Sequence, residues 1–160
     1  AEQMLADANI PPLGTHSTIG FHIRRGDKLI SEARAYTGEE YVTLLLKKAP
    51  QAANANHCFL ATDDMSVRQE LKAALTNYNI SCQLHSFADM RKGTSRSDVN
   101  DMLYFFAELH ALSITNYFVG TFGSNVGHIV SLWRGCASIP GATASNYYHS
   151  YGADTDYLTL

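Results

Sequence analysis

Four short apolar runs, Thr18 to Arg24, His57 to Thr62, Ile80 to Phe87 and Tyr117 to Gly120, alternate with segments whose apolar residues recur every three or four positions. No other feature restricts the fold so much. Strands separated by helices cannot pair as hairpins, so successive strands are joined by right-handed crossovers and lie parallel. The expected architecture is α/β: a doubly wound, mostly parallel sheet with helices on both faces. At 160 residues the chain corresponds to one domain, large enough to bury a core of its own.

The helical segments carry their own punctuation. From Thr37 the order Thr-Gly-Glu-Glu is a capping box, followed by Tyr41, Leu44 and Leu45 at helical spacing and ended by Pro50. Ser66 is expected to cap a helix whose apolar face is Val67, Leu71, Ala74 and Leu75. After a polar loop from Ala88 to Arg96, Ser97 is expected to open the longest helix, with Met102, Phe105, Phe106, Leu109 and Leu112 as a buried stripe. Thr121-Phe122-Gly123 reads as a tight turn, and Ser124 starts a last helix carrying Val126, Ile129, Val130 and Trp133. Residues 1–17, with Pro11-Pro12 and Gly14, read as a linker or a short helix and turn, which leaves 18–160 as the folded domain.

Twelve Lys and Arg against fifteen Asp and Glu leave a net charge of -3, so no nucleic-acid partner is expected and any anion site must be a local cluster. No apolar run approaches the ~20 residues that cross a bilayer, so this segment is expected to make no membrane contact. The first ten residues lack the basic start and apolar middle of a signal peptide, as in a mature, internal or partial chain. Cys58, Cys82 and Cys136 are odd in number and lack CxxC or CxxH spacing, so neither a disulfide nor a zinc site is expected, and Cys58 and Cys82 read as small buried hydrophobes. The seven histidines show no pair at helical metal spacing, and Asp154-Thr155-Asp156 sits in a weakly patterned tail, so no metal ligands are assigned.

In a parallel sheet, ligands gather at the carboxyl ends of the strands, and the unusual residues fall there. His22-Ile23-Arg24-Arg25-Gly26-Asp27-Lys28 ends an apolar strand in three cations. Burying an unpaired guanidinium is prohibitive, so their charge meets either an anionic ligand, such as two phosphates, or the internal acids Asp27, Asp63 and Asp64. Gly120 to Gly127 is a strand, a glycine turn and a helix start at Ser124, which aims backbone N–H groups and the helix dipole at one point. Such a turn serves a phosphate or simply connects two elements. Glu108 interrupts the long helix: half-buried, its carboxylate would accept paired N–H groups from guanine, and on the polar face it would be an ordinary surface acid. Glu32 lies in the loop after the first strand, as a general base or a solvated acid. Asp63-Asp64 end the second strand, where they orient a cation or a nucleotide group, or cap the following helix.

Phe21 to Lys28 resembles the HxRRxDK motif of the GDP-fucose-dependent fucosyltransferases, most closely the α1,6-fucosyltransferase family that modifies the N-glycan core. Leu60-Ala61-Thr62-Asp63-Asp64, Glu108 to Ser113 and Val119 to Val126 are similar to three further segments of that family in the same order, and the similarity runs from about Thr18 to Tyr157. The resemblance implies the Rossmann-like donor lobe of a two-lobed GT-B glycosyltransferase, inverting and metal-independent, with GDP-fucose as donor substrate and no cofactor. It implies that Arg24 and Arg25 hold the diphosphate, His22 and Glu108 the guanine, Asp63 nucleotide-side groups, and Thr121, Ser124 and Asn125 the phosphates. Glu32 matches the position of the general base and Lys28 the lysine of the motif.

The acceptor implied is a glycan hydroxyl, on the N-glycan core or another oligosaccharide. Glu108 stands where the core-modifying enzymes have Asp, Asn125 where they have Gln, and His128 where they have Arg, so the nodulation-type and protein O-fucosyltransferases are alternatives. A lobe that binds nucleotide or glycan without chemistry is another, and a receiver-like domain using Asp63 a third. The implied location is the Golgi or secretory-pathway lumen for a eukaryotic protein, and the cytoplasm for a bacterial nodulation-type enzyme.

Overall fold

A computed structural model describes residues 1–14, 17–25, 36–87, 99–120 and 125–136. The elements are α1 (Glu2–Asp7), β1 (Thr18–Ile23), α2 (Gly38–Lys48), a 3-10 turn (Pro50–Asn54), β2 (His57–Thr62), α3 (Ser66–Asn77), β3 (Gln83–His85), α4 (Val99–Ile114), β4 (Tyr117–Gly120) and α5 (Asn125–Cys136). The four strands form one parallel sheet in the order β3-β2-β1-β4, with Thr18 opposite His57 and Ile19 opposite Tyr117. The expected doubly wound α/β architecture is the one observed.

Strand alternation divides the core into two layers. Ile19, Phe21 and Ile23 of β1 and Cys58 and Leu60 of β2 pack with Tyr41, Val42 and Leu45 of α2 and Val67 and Leu71 of α3. Phe59 and Ala61 of β2 face the other way, toward Ala107, Leu109, Ala111 and Leu112 of α4 and Val130 of α5. A Cβ built on Gly20 would come within 2.8 Å of Thr115 Oγ1 and 3.1 Å of a Leu112 methyl, so the glycine is what lets α4 lie this close to β1.

Several expectations are corrected by the way these layers close. Of the two readings of the opening residues, a linker or a short helix and turn, the short helix is the one formed, and it is no mere linker: Leu5, Ile10 and Leu13 are buried in the α4 layer, where they cover part of the sheet. Cys58 and Cys82 form a disulfide, Cα atoms 5.6 Å apart, that ties β2 to the residue before β3. Spacing along the chain could not reveal it, because the two cysteines stand 24 residues apart and meet only once β2 and β3 lie side by side. Ile80 and Phe87 are buried, yet only Gln83 to His85 pair as strand.

Ser66 lies in the first turn of α3 and does not cap it. The Asp64 carboxylate accepts from Ser66 N at 2.9 Å and from its hydroxyl at 2.7 Å, which holds the acid below its usual range. In α4 the side against the sheet runs through Ala107, Glu108, Ala111 and Leu112, and Met102 and Phe106 of the expected stripe are exposed. Trp133 of α5 is likewise partly exposed. The capping box on α2 forms as expected: Thr37 Oγ1 accepts from Glu40 N, and the Glu40 carboxylate accepts from Thr37 N.

Arg134 locks α5 to the end of α4. Its buried guanidinium donates to the carbonyls of Leu112, Thr115 and Asn116 at 3.2, 2.6 and 3.1 Å and lies 5.9 Å from the Phe118 ring centroid. These carbonyls close α4 and lead into β4, and a cation there satisfies groups that the helix cannot.

Candidate functional site

At the carboxyl ends of β1 and β2 lies a cavity of about 170 Å³, lined by His22, Arg24, Thr62, Asp63, Phe105, Glu108 and Val126, with Ala61 and Leu109 at its base. Period-two alternation explains half of this set. His22 and Arg24 follow Gly20 on the α4 side of β1, whereas Arg25 follows Phe21 and Ile23 toward α2 and α3. Period 3.6 explains the rest, since Phe105 and Glu108 are three apart on α4 and share one side of it.

Charge is arranged asymmetrically inside the cavity. His22 and Glu108 are each only 6 % exposed. Burial holds the imidazole down to about 4, the Arg24 charge pushes it the same way, and the Asp63 carboxylate opposes both. His22 is therefore neutral at pH 7 and offers one ring donor and one ring acceptor. The guanidinium of Arg24 sits 3.7 Å from Asp63 Oδ2, with the side chain 30 % exposed. The Arg24 cation lies beside Asp63 and lines the cavity, where it can take an anionic ligand; the buried Glu108 carboxylate, on the same wall as Phe105, suits a flat group that presents paired N–H donors.

The two arginines divide at this point. Arg25 Nε and Nη2 donate to the Tyr36 carbonyl at 3.2 and 2.6 Å, and Nη2 also lies 2.6 Å from Glu70 Oε2. Arg25 thus takes the internal-pairing alternative, with an acid on α3 that was not among the candidates, while its backbone N donates to Asp63 Oδ1 at 2.9 Å. The structure accordingly brings together His22, Arg24, Asp63 and Glu108 of the expected site, and turns the Arg25 side chain to the opposite face. Asn125 is exposed at the start of α5, next to Val126 of the cavity wall. Lys28, Glu32, Thr121 and Ser124 lie outside the described residues.

Sequence reasoning overlooked Phe105 and Val126 as lining and Glu70 as a partner. The i, i+3 relation of Phe105 to Glu108 was the available signal for the first; Glu70 had none, because its partner comes from another element. A larger cavity of about 530 Å³ lies between α3 and the β3 edge, lined by Arg68, Lys72, Thr76, Ser81 and Gln83 among others, and holds none of the expected site residues. Among the described residues, no three His, Cys, Asp or Glu side chains are placed to hold a metal ion, and no helix is long and apolar enough to cross a membrane.

Comparison with known proteins shows similarity of three kinds: to a family model, to curated proteins and to solved structures. Residues 3–132 match the family model described as alpha-(1,6)-fucosyltransferase N- and catalytic domains. A curated relative, the alpha-(1,6)-fucosyltransferase of Drosophila melanogaster, is 29% identical over 115 residues, which is 68% of this chain and 18% of the relative. The chain thus spans less than a fifth of that protein. A solved structure of POFUT1 in complex with GDP is similar to this chain with a TM-score of 0.49 at 14% identity, over 84% of this chain and 44% of that one.

Proposed function

Since the chain belongs to the family of alpha-(1,6)-fucosyltransferase N- and catalytic domains, we propose that it is the donor-binding part of a fucosyltransferase. In this reading it binds GDP-fucose, and the whole protein transfers fucose with inversion to a glycan hydroxyl, in α1,6 linkage on the N-glycan core. The observation that carries the proposal is the convergence of Arg24, His22 and Glu108 on one cavity at the carboxyl edge of the sheet. Glu108 and His22 take the guanine, Phe105 lies against the base, Arg24 takes the diphosphate, and Asp63 orients Arg24 through their 3.7 Å contact.

The proposed chemistry follows from charge. As the anomeric C–O bond breaks, the GDP oxygen keeps the electron pair and its negative charge grows. Arg24, together with the N-terminus of α5 near Thr121, Ser124 and Asn125, stabilises that charge without a metal ion. Glu32 removes the proton from the acceptor hydroxyl, whose oxygen forms the new bond to the anomeric carbon from the opposite face, and Lys28 adds positive charge. The Cys58–Cys82 disulfide supports a secretory-pathway location, because such bonds persist in oxidising compartments.

Calorimetry with GDP in the presence of EDTA tests the site. Wild-type chain is expected to bind, and Arg24→Ala to weaken binding roughly 10- to 150-fold, the value of one charge-assisted contact. Unchanged affinity in Arg24→Ala overturns the assignment, and binding that requires added magnesium overturns the metal-independent reading.

A further inference from the structure

The Arg25 guanidinium is held by two elements that do not touch the cavity. Tyr36, which precedes α2, supplies a carbonyl to Nε and Nη2, and Glu70 of α3 supplies Oε2 at 2.6 Å. The other oxygen of Glu70 accepts from Gly38 N at 2.8 Å, at the first residue of α2. Gly38 packs closely on α3: a Cβ there would meet the Leu71 backbone at 2.9 Å. Glu70 therefore fastens the start of α2, its own helix and the end of β1 to one another.

From Arg25 the contacts run on into the cavity. Its backbone N donates to Asp63 Oδ1 at 2.9 Å, and Asp63 Oδ2 faces Arg24 Nε at 3.7 Å. To reach a ligand in the cavity, the Arg25 side chain would have to give up a 2.6 Å ion pair and two hydrogen bonds and cross from one face of the sheet to the other. Holding the backbone at Arg25 fixes where Asp63 is anchored, and with it the position of Arg24.

We infer that Arg25 and Glu70 are positioning residues that never touch the donor: the pair pins the end of β1 so that Arg24, and not Arg25, presents its charge to the diphosphate. This rests on the donor reading above and deepens it, since it assigns the twin arginines opposite tasks and adds an acid from α3 to the machinery.

The test is a set of mutant cycles on GDP binding, with guanosine as a ligand that lacks the diphosphate. Glu70→Gln and Arg25→Gln are each expected to weaken GDP about tenfold while guanosine affinity stays within twofold. On an Arg24→Gln background the same two changes are expected to have less than a twofold further effect, because the residue they act through is gone. A further tenfold loss on that background would mean that Arg25 contacts phosphate itself and would overturn the inference, as would GDP affinity unchanged in Glu70→Gln. Glu70→Gln is isosteric and carries the test if Arg25→Gln does not fold; Glu70→Asp, which keeps the charge, should recover part of the affinity, which a general loss of stability would not predict. Failure of the wild-type chain to bind GDP would sink the donor reading and this inference together, whereas wild-type binding with independent Arg24 and Arg25 effects would sink the inference alone.

Discussion

Lowering the pH from 7 to 4 should unfold this protein partly through one side chain, His22. Its imidazole is neutral in the folded chain because burial holds it down to about 4 from the ordinary 6.5, and Arg24 beside it adds to the effect. The unfolded chain takes up the proton first, so stability is complete above pH 6.5 and is lost as the pH falls toward 4. The difference works out at about 2 kcal/mol at pH 5 and about 3 kcal/mol at pH 4, a large share of the ~5–15 kcal/mol that a domain has. Asp64, His85 and His110, all lowered, also draw stability down in acid, so the His22 share must be isolated. Urea unfolding followed by circular dichroism at pH 7, 6, 5 and 4, for wild type and His22→Asn, does this by subtraction. The wild-type curve should fall more steeply, with the gap opening below pH 6.5. Parallel curves, or a His22 imidazole that titrates near 6.5 by NMR, would refute the reasoning.

Three other outcomes are expected. Replacing Cys58 and Cys82 by Ser releases a loop closed across 24 positions and should cost about 3.5 kcal/mol, read from the urea midpoint, with no further loss in the variant on adding reductant. Glu108→Gln should weaken GDP roughly 10- to 150-fold in calorimetry and narrow its preference over IDP, which lacks the guanine amino group; an unchanged preference would remove Glu108 from base recognition. Gly38→Ala forces a methyl against the Leu71 backbone and should cost about 1–3 kcal/mol of stability by the same denaturation assay.

Much of the framework was legible because it depends on local periodicity. The alternation through Thr18 to Ile23 and the capping box at Thr37 each carry their own signal, and the structure holds both. Strand alternation also contained the information that Arg24 and Arg25 face opposite sides, although not what each would meet. What escaped detection was contact between elements distant in sequence: the Cys58–Cys82 bond, the Arg25–Glu70 pair and the packing of Leu5 and Leu13 on the sheet. Met102 and Phe106 misled because a helical stripe identifies candidate inward residues, while the side of α4 that is buried carries the small Ala107 and Ala111 and meets Gly20 through Leu112.

The clasp that Arg134 makes on the end of α4 reaches beyond its own surroundings. Nine positions, or about 13 Å of helix, separate it from Asn125, so α5, which bears Val126, is braced at its end remote from the cavity, and α4 is braced about one turn beyond Glu108. If the cavity takes the proposed donor, this bracing sets the width of the cleft from the far side.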